Sequence, residues 1–214
     1  MLFTEIGDPQ LAALALALAT ALTTGGYAPT ARAASAPAVD IPYETFTLPN
    51  GLRVRVLCKP DFQRSYAVLA ACYGGADRRF ELDGETIDTP AGVAHFLEHK
   101  LFESEDLDAF QRYAATGASA NAYTSFDKTC YLFSCSGDFK GSLEILLDFV
   151  THPYFTPETV KKEQGIIGQE IKMCQDEPSW EVLFGMLRGM YKKHPVRIDI
   201  AGTVESISHI TAEL

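Results

Sequence analysis

The run His95-Phe96-Leu97-Glu98-His99 constrains this chain more than any other feature of its sequence. It falls inside residues 90–104 (PAGVAHFLEHKLFES), where the apolar spacing predicts a helix. Pro90 opens that stretch, and proline suits the first turn of a helix. Residues three and four apart on a helix share a face, so His95, Glu98 and His99 stand together. Two imidazoles on one face can reach one metal ion, and Glu98 beside them can take a proton from water. A zinc ion makes this division of labour useful, because it lowers the pKa of water toward about 7 and leaves the carboxylate to act as a shuttle. The plain alternative is a chance grouping on a solvated helix face. A catalytic zinc takes three protein ligands and keeps one position open. One helix supplies two of them, so the fold must deliver the third from elsewhere.

The best local source is the stretch after Thr156. Thr156-Pro157-Glu158 combines a cap, a proline at the first position and an acid in the first turn, so a helix is predicted from there toward Gln175. Glu163 and Glu170 lie two turns apart on one face of it. Ile166, Ile167 and Ile171 bracket Glu170 and predict a largely buried helix, in which a carboxylate wants a charge partner. Two readings stand side by side: ordinary solvated glutamates, or a third metal ligand at Glu170.

The rest of the chain supplies strands and further helices. Residues 43–48 and 52–58 alternate around Pro49-Asn50-Gly51 and predict a hairpin. Residues 66–73 (YAVLAACY) read as a buried strand ended by Gly74-Gly75, and residues 76–89 as a loop. A short helix is predicted over 107–115, stopping at Gly117. Strands are predicted over 119–124 and 128–134, then an amphipathic helix over 138–150 ended by His152-Pro153. Pro178 breaks the Glu170 helix, and a further helix covers about 179–192. Residues 199–203 read as a connector, with another helix starting at Ser206.

Composition narrows the partners. The net charge of −10 argues against nucleic acid or an anionic membrane surface. The five cysteines are odd in number, scattered and without a C-x-x-C pair, so they predict buried reduced thiols in a cytosolic protein rather than a disulfide framework or a cysteine zinc site. Cys174, one turn past Glu170, is read as packing. Residues 1–40 read as an extension outside the domain. Leu11 to Leu22 is apolar but, at twelve residues, too short for a bilayer span of about 20. Glu5 and Asp8 precede it where an export signal would carry positive charge, so a cytoplasmic location is expected, with a cleaved signal ending near Ala34-Ser35-Ala36 as the alternative.

Three segments in order, GVAHFLEHKLFE, GASANAYTSFDKTCYLF and KKEQGIIGQEIKM, resemble the insulinase, or pitrilysin-type, zinc peptidase family from about Tyr43 onward, nearest to its bacterial insulinase-like members. The resemblance implies an α+β domain over residues 41–214, an antiparallel sheet with helices packed on it, incomplete at its C-terminal end. It implies zinc held by His95, His99 and Glu170, with Glu98 as general base and Glu163 orienting a ligand. Residues 119–124 resemble the family's substrate-binding edge strand, so Ala120, Asn121 and Ala122 are expected to bind an extended peptide, a structural strand with a structural Asn121 being the equal alternative. Lys100 departs from the methionine common at that position. His152, His194 and His209 match no motif position. The implied activity is zinc-dependent endopeptidase action on peptides or small proteins, with a second half-domain or partner subunit completing the substrate grip and no stable membrane insertion. The rival is a non-catalytic member acting as an assembly or processing partner; a different hydrolase or lyase using the same inverted motif is a third reading.

Overall fold

The computed structural model describes residues 43–214. The expectations for residues 1–40 fall outside these. The chain divides into two compact units, residues 1–63 and residues 64–214. The described part of the first is a hairpin of β1 (Glu44–Thr47) and β2 (Arg53–Val56), in register from Glu44 opposite Val56 to Thr47 opposite Arg53. Asn50 and Gly51 make its turn as predicted. Gly51 sits at φ 86°, which favours glycine, and the Leu52 amide donates to Asn50 Oδ1 at 3.1 Å.

The second unit begins with β3 (Ser65–Ala71), the antiparallel edge partner of a long central strand β7 (Thr129–Cys135), whose other neighbour is β6 (Ser119–Thr124). The sheet order is β3-β7-β6, with Ser65 opposite Cys135 and Thr124 opposite Thr129. β7 is buried along most of its length because it has strands on both sides and helices on one face. Residues 76–89 are not the predicted loop. They contain a second hairpin, β4 (Arg79–Leu82) and β5 (Glu85–Asp88), turning at Asp83-Gly84 with φ of 52° and 85°. An Asp-Gly pair is a strong hairpin signal, here hidden among polar flanks.

The helices follow: α1 (Val93–Leu101), α2 (Ala109–Thr116), α3 (Phe139–Thr151), α4 (Pro157–Gln175), α5 (Pro178–Met190), a 3-10 turn (Pro195–Arg197) and the one-turn α6 (Val204–Ile207). Helix α1 starts at Val93, so Pro90 lies outside it and Gly92, at φ 99°, takes the cap. Helix α6 is capped by Thr203 and spans Val204–Ile207, so it begins before the predicted start at Ser206. Helix α4 begins as predicted, with the Thr156 and Thr159 side chains capping reciprocally and Pro157 at its first position.

Two apolar clusters hold this unit. Under the sheet, Phe102 stacks on Phe149 at 4.8 Å between ring centres and meets Tyr131, joining the end of α1 to α3 and β7. The other cluster places the site: Val93 and Phe96 of α1, Val160, Ile167 and Ile171 of α4, and Ala201, Ile207 and Ile210 from the end of the chain. Burying a side chain such as Phe96 contributes about 1.5–3 kcal/mol. Ile166 is the exception to the expected burial around Glu170; it is exposed, since α4 buries only one stripe.

Lys100 is fully buried, and its ammonium pairs with Glu103, which also faces Lys162 Nζ at 3.6 Å. A buried charge needs such a partner, and Glu103 explains how lysine is accommodated where an apolar residue would be at home. The thiols are all free, but only Cys130 and Cys135 are buried; Cys58 and Cys72 are exposed and Cys174 is half-buried. Cys58 and Cys72 lie just past the ends of β2 and β3, where the chain leaves the sheet for solvent, and Cys174 lies in the last turn of α4. No described helix is long and apolar enough to cross a membrane.

Candidate metal centre

Val93 and Phe96 turn one stripe of α1 onto Ile167 and Ile171 of α4. The adjacent stripes of the two helices, carrying His95 and His99 on one and Glu163 and Glu170 on the other, are thereby brought face to face. Nε2 of His95 lies 3.6 Å from Glu170 Oε1, and Nε2 of His99 lies 3.5 Å from Glu170 Oε2. The two imidazoles meet edge to face at 4.7 Å between ring centres. Among the described residues these three form the group that could hold a metal, with donor atoms within 4.8 Å of one another.

The donor set fits zinc. Two imidazole nitrogens and one carboxylate are an ordinary catalytic zinc set, and bonds of about 2.0–2.1 Å in a tetrahedron set ligand atoms about 3.4 Å apart. The 3.5 and 3.6 Å separations are close to that spacing and too long for hydrogen bonds between these groups. A further sign is Nδ1 of His95, which is buried without a hydrogen-bond partner. Nδ1 is thus not committed elsewhere, and Nε2 is the nitrogen of this ring that faces Glu170.

His99 is oriented by a neighbour. Its Nδ1 lies 2.9 Å from Oε1 of the buried Glu163. That hydrogen bond raises the His99 pKa above 6.5 against the opposing effect of burial. For His95 burial wins, and the pKa falls below 6.5 although Glu170 acts to raise it. The two imidazoles of one motif are thus pushed in opposite directions by their surroundings.

Glu98 makes no hydrogen bond to His95, His99 or Glu170; its Oε2 accepts from Thr124 Oγ1 at 2.6 Å. Thr124 closes β6, whose residues alternate between exposed and half-buried. Ala120 and Ala122 lie on the Thr124 face. Asn121 lies on the opposite, exposed face, and its Oδ1 accepts from the Ala122 amide at 2.9 Å. Among the described residues β6 pairs only with β7, so its other edge is open. The bond from Thr124 to Glu98 is a contact the sequence did not announce, although the place of Thr124 two residues beyond Ala122 put it on the face turned to α1. His152, His194 and His209 are all exposed, and none belongs to the group that could hold a metal. Cys174 is not among the metal-binding group; burial pushes its thiol up, with Glu170 acting the same way.

A profile of the family described as Insulinase (Peptidase family M16) matches residues 84–204, which span α1, β6 and α4 together. The chain belongs to the insulinase family. Over 167 residues it is 58% identical to the uncharacterized zinc protease YmfH of Bacillus subtilis, covering 77% of this chain and 39% of that protein. A crystal structure of an M16-like peptidase from Alicyclobacillus acidocaldarius superposes with a TM-score of 0.78 at 48% identity, over 82% of this chain and 42% of the other. A peptidase M16 inactive domain from Pseudomonas fluorescens superposes with a TM-score of 0.68 at 18% identity and shares the fold alone. The chain spans about two fifths of the length of the relatives it matches. Its α+β architecture is that of this family, and zinc is the metal for which its relatives are named.

Proposed function

We propose that this chain is the metal-binding part of a zinc-dependent endopeptidase, with His95, His99 and Glu170 as ligands and Glu98 as general base. The observation that carries this reading is the convergence of both Nε2 atoms and the Glu170 carboxylate from two helices, with Glu98 held beside them from the edge strand. Zinc bound there supplies Lewis acidity, which acidifies water and polarises a peptide carbonyl. The remaining tasks fall to the chain. Glu98 receives the proton from water and delivers it to the leaving amine. Thr124 fixes one oxygen of Glu98 and leaves the other for that transfer. The open edge of β6 over Ala120, Asn121 and Ala122 takes an extended peptide by main-chain hydrogen bonds, in which the outward side chain of Asn121 is no obstacle. Glu163 fixes the ring of His99. A second domain or partner subunit holds the peptide against that edge; the greater length of the relatives supports this part of the reading.

Elemental analysis of the purified chain, followed by a quenched-peptide assay with and without chelator, tests the proposal. The assay includes the chain extended to the length of its relatives. About one zinc per chain and chelator-sensitive turnover by the extended form are expected. A second reading is a non-catalytic member that keeps the fold, which the inactive domain of the same fold makes specific. Zinc without turnover in any form favours it.

A further inference from the structure

His99 has Glu163 to fix its ring, while His95 has no such partner within bonding distance. Its Nδ1 is buried and unbonded. If Nε2 holds the metal, the reading proposed above and the one on which this inference rests, Nδ1 must carry a proton and needs an acceptor.

The segment that walls the first turn of α1 is the connector over residues 199–203. A Cβ on Gly92 would stand 2.6 Å from the Ala201 carbonyl oxygen, and one on Gly202 would collide with that of Ala91. Ser206 Oγ donates to the same Ala91 oxygen at 2.8 Å. Connector and helix start are therefore in backbone contact. Helical side chains lean toward the N-terminus of their helix, so the ring of His95 leans back toward this junction.

The connector carries Asp199. Its Oδ2 accepts from Trp180 Nε1 of α5 at 2.6 Å and its Oδ1 from the Ala201 amide at 3.0 Å. A carboxylate oxygen has room for a second donor, so Asp199 is held in place with accepting capacity left over. The carboxylates whose charges act on His95 include Glu170 and Glu98, on its metal side, and Asp199. We propose that Asp199 is the positioning residue of His95, its carboxylate accepting the Nδ1–H bond directly or across one water, as Glu163 does for His99. Trp180 then has a role of its own: it holds the carboxylate that holds the ligand.

Zinc competition titrations and nitrogen-resolved histidine NMR of the zinc-loaded chain test this. The parent is expected to show two slowly exchanging Nδ1–H protons, one for each motif histidine. Asp199→Asn should weaken zinc binding about 10- to 100-fold and move the His95 signal alone. Glu163→Gln should move the His99 signal alone, and Trp180→Phe should give a smaller shift of the His95 signal than Asp199→Asn. A parent in which the His95 Nδ1–H exchanges freely overturns the proposal without any variant. So does an Asp199→Asn protein with parental affinity, or one in which both signals move together, as mere bracing of the connector would produce. Failure of the parent to bind zinc at all would instead sink the metal centre itself.

Discussion

Nδ1 of His99 lies 2.9 Å from Oε1 of Glu163, and because a carboxylate only accepts, the imidazole is the donor. This contact joins two helices whose sequences are some sixty residues apart and leaves Nε2 as the free nitrogen of the ring. Glu163→Gln keeps the shape and removes the charge. It is expected to loosen zinc about 10- to 100-fold without abolishing binding. Competition against a chelator of known affinity measures this, and an unchanged affinity would deny Glu163 any part in orienting His99.

Removing a ligand should be more severe. His95→Ala and His99→Ala are each expected to lose zinc from a site that holds about one ion per folded chain. Full metal content in both variants by elemental analysis would falsify the assignment.

Glu98→Gln separates binding from chemistry. It should retain zinc and, in a form of the protein that turns peptide over, reduce kcat by about 10² or more. Thr124→Val should also retain zinc and lower kcat by up to about tenfold, with Thr124→Ser restoring most of the loss. Activity within a few-fold of the parent in Glu98→Gln excludes Glu98 as the base.

Acid should release the metal, because both imidazoles must be unprotonated at the ligating nitrogen. The hydrogen bond to Glu163 raises the His99 pKa above 6.5, so proton competition begins above that pH and costs up to about tenfold in affinity per pH unit for each proton displaced. Burial lowers the His95 pKa, so this ring competes only at lower pH. In the metal-free protein the two signs oppose. The His99 interaction contributes stability that is complete below pH 6.5 and is lost as pH rises through the raised value. The His95 shift subtracts stability as pH falls below 6.5. Zinc titrations between about pH 5 and 8 check the first statement; an affinity independent of pH contradicts it.

Gly92→Ala should destabilise the fold by about 2 kcal/mol or more, since φ is 99° and the new Cβ would meet the Ala201 oxygen at 2.6 Å. For a chain of this size that corresponds to a fall in Tm of roughly 4–8 °C, measurable by calorimetry. A Tm within a degree of the parent would mean that the helix start and the connector part easily.

The helices were legible because their signals are local. Thr156-Pro157 starts α4 with a cap and a fixed φ, and the apolar stripe of α1 has a period that admits little else. The shared face of His95 and His99 followed from the same periodicity, and it is the face that meets Glu170. What sequence did not reveal depends on contacts between distant segments. Pro90 looked like a helix start because nothing local says that Gly92 must take a positive φ to let Ala201 approach. Thr124 looked like the end of a strand until α1 lay across it. Asp199 looked like part of a connector until its carboxylate was found between Trp180 and Ala201.

Ser206 and Ala91, joined by one hydrogen bond at the start of α1, are 115 residues apart in the chain. At a ribosomal rate of about 5–20 residues per second, the first turn of α1 waits on the order of ten seconds for the residues that brace it. During that interval both histidines are already made, but Glu163 and Glu170 arrive late and the brace arrives last. The nascent chain therefore carries the two imidazoles before Glu170, the proposed third ligand, is made. Every residue proposed to hold the metal is therefore translated before Ser206, the residue that ties down the start of α1.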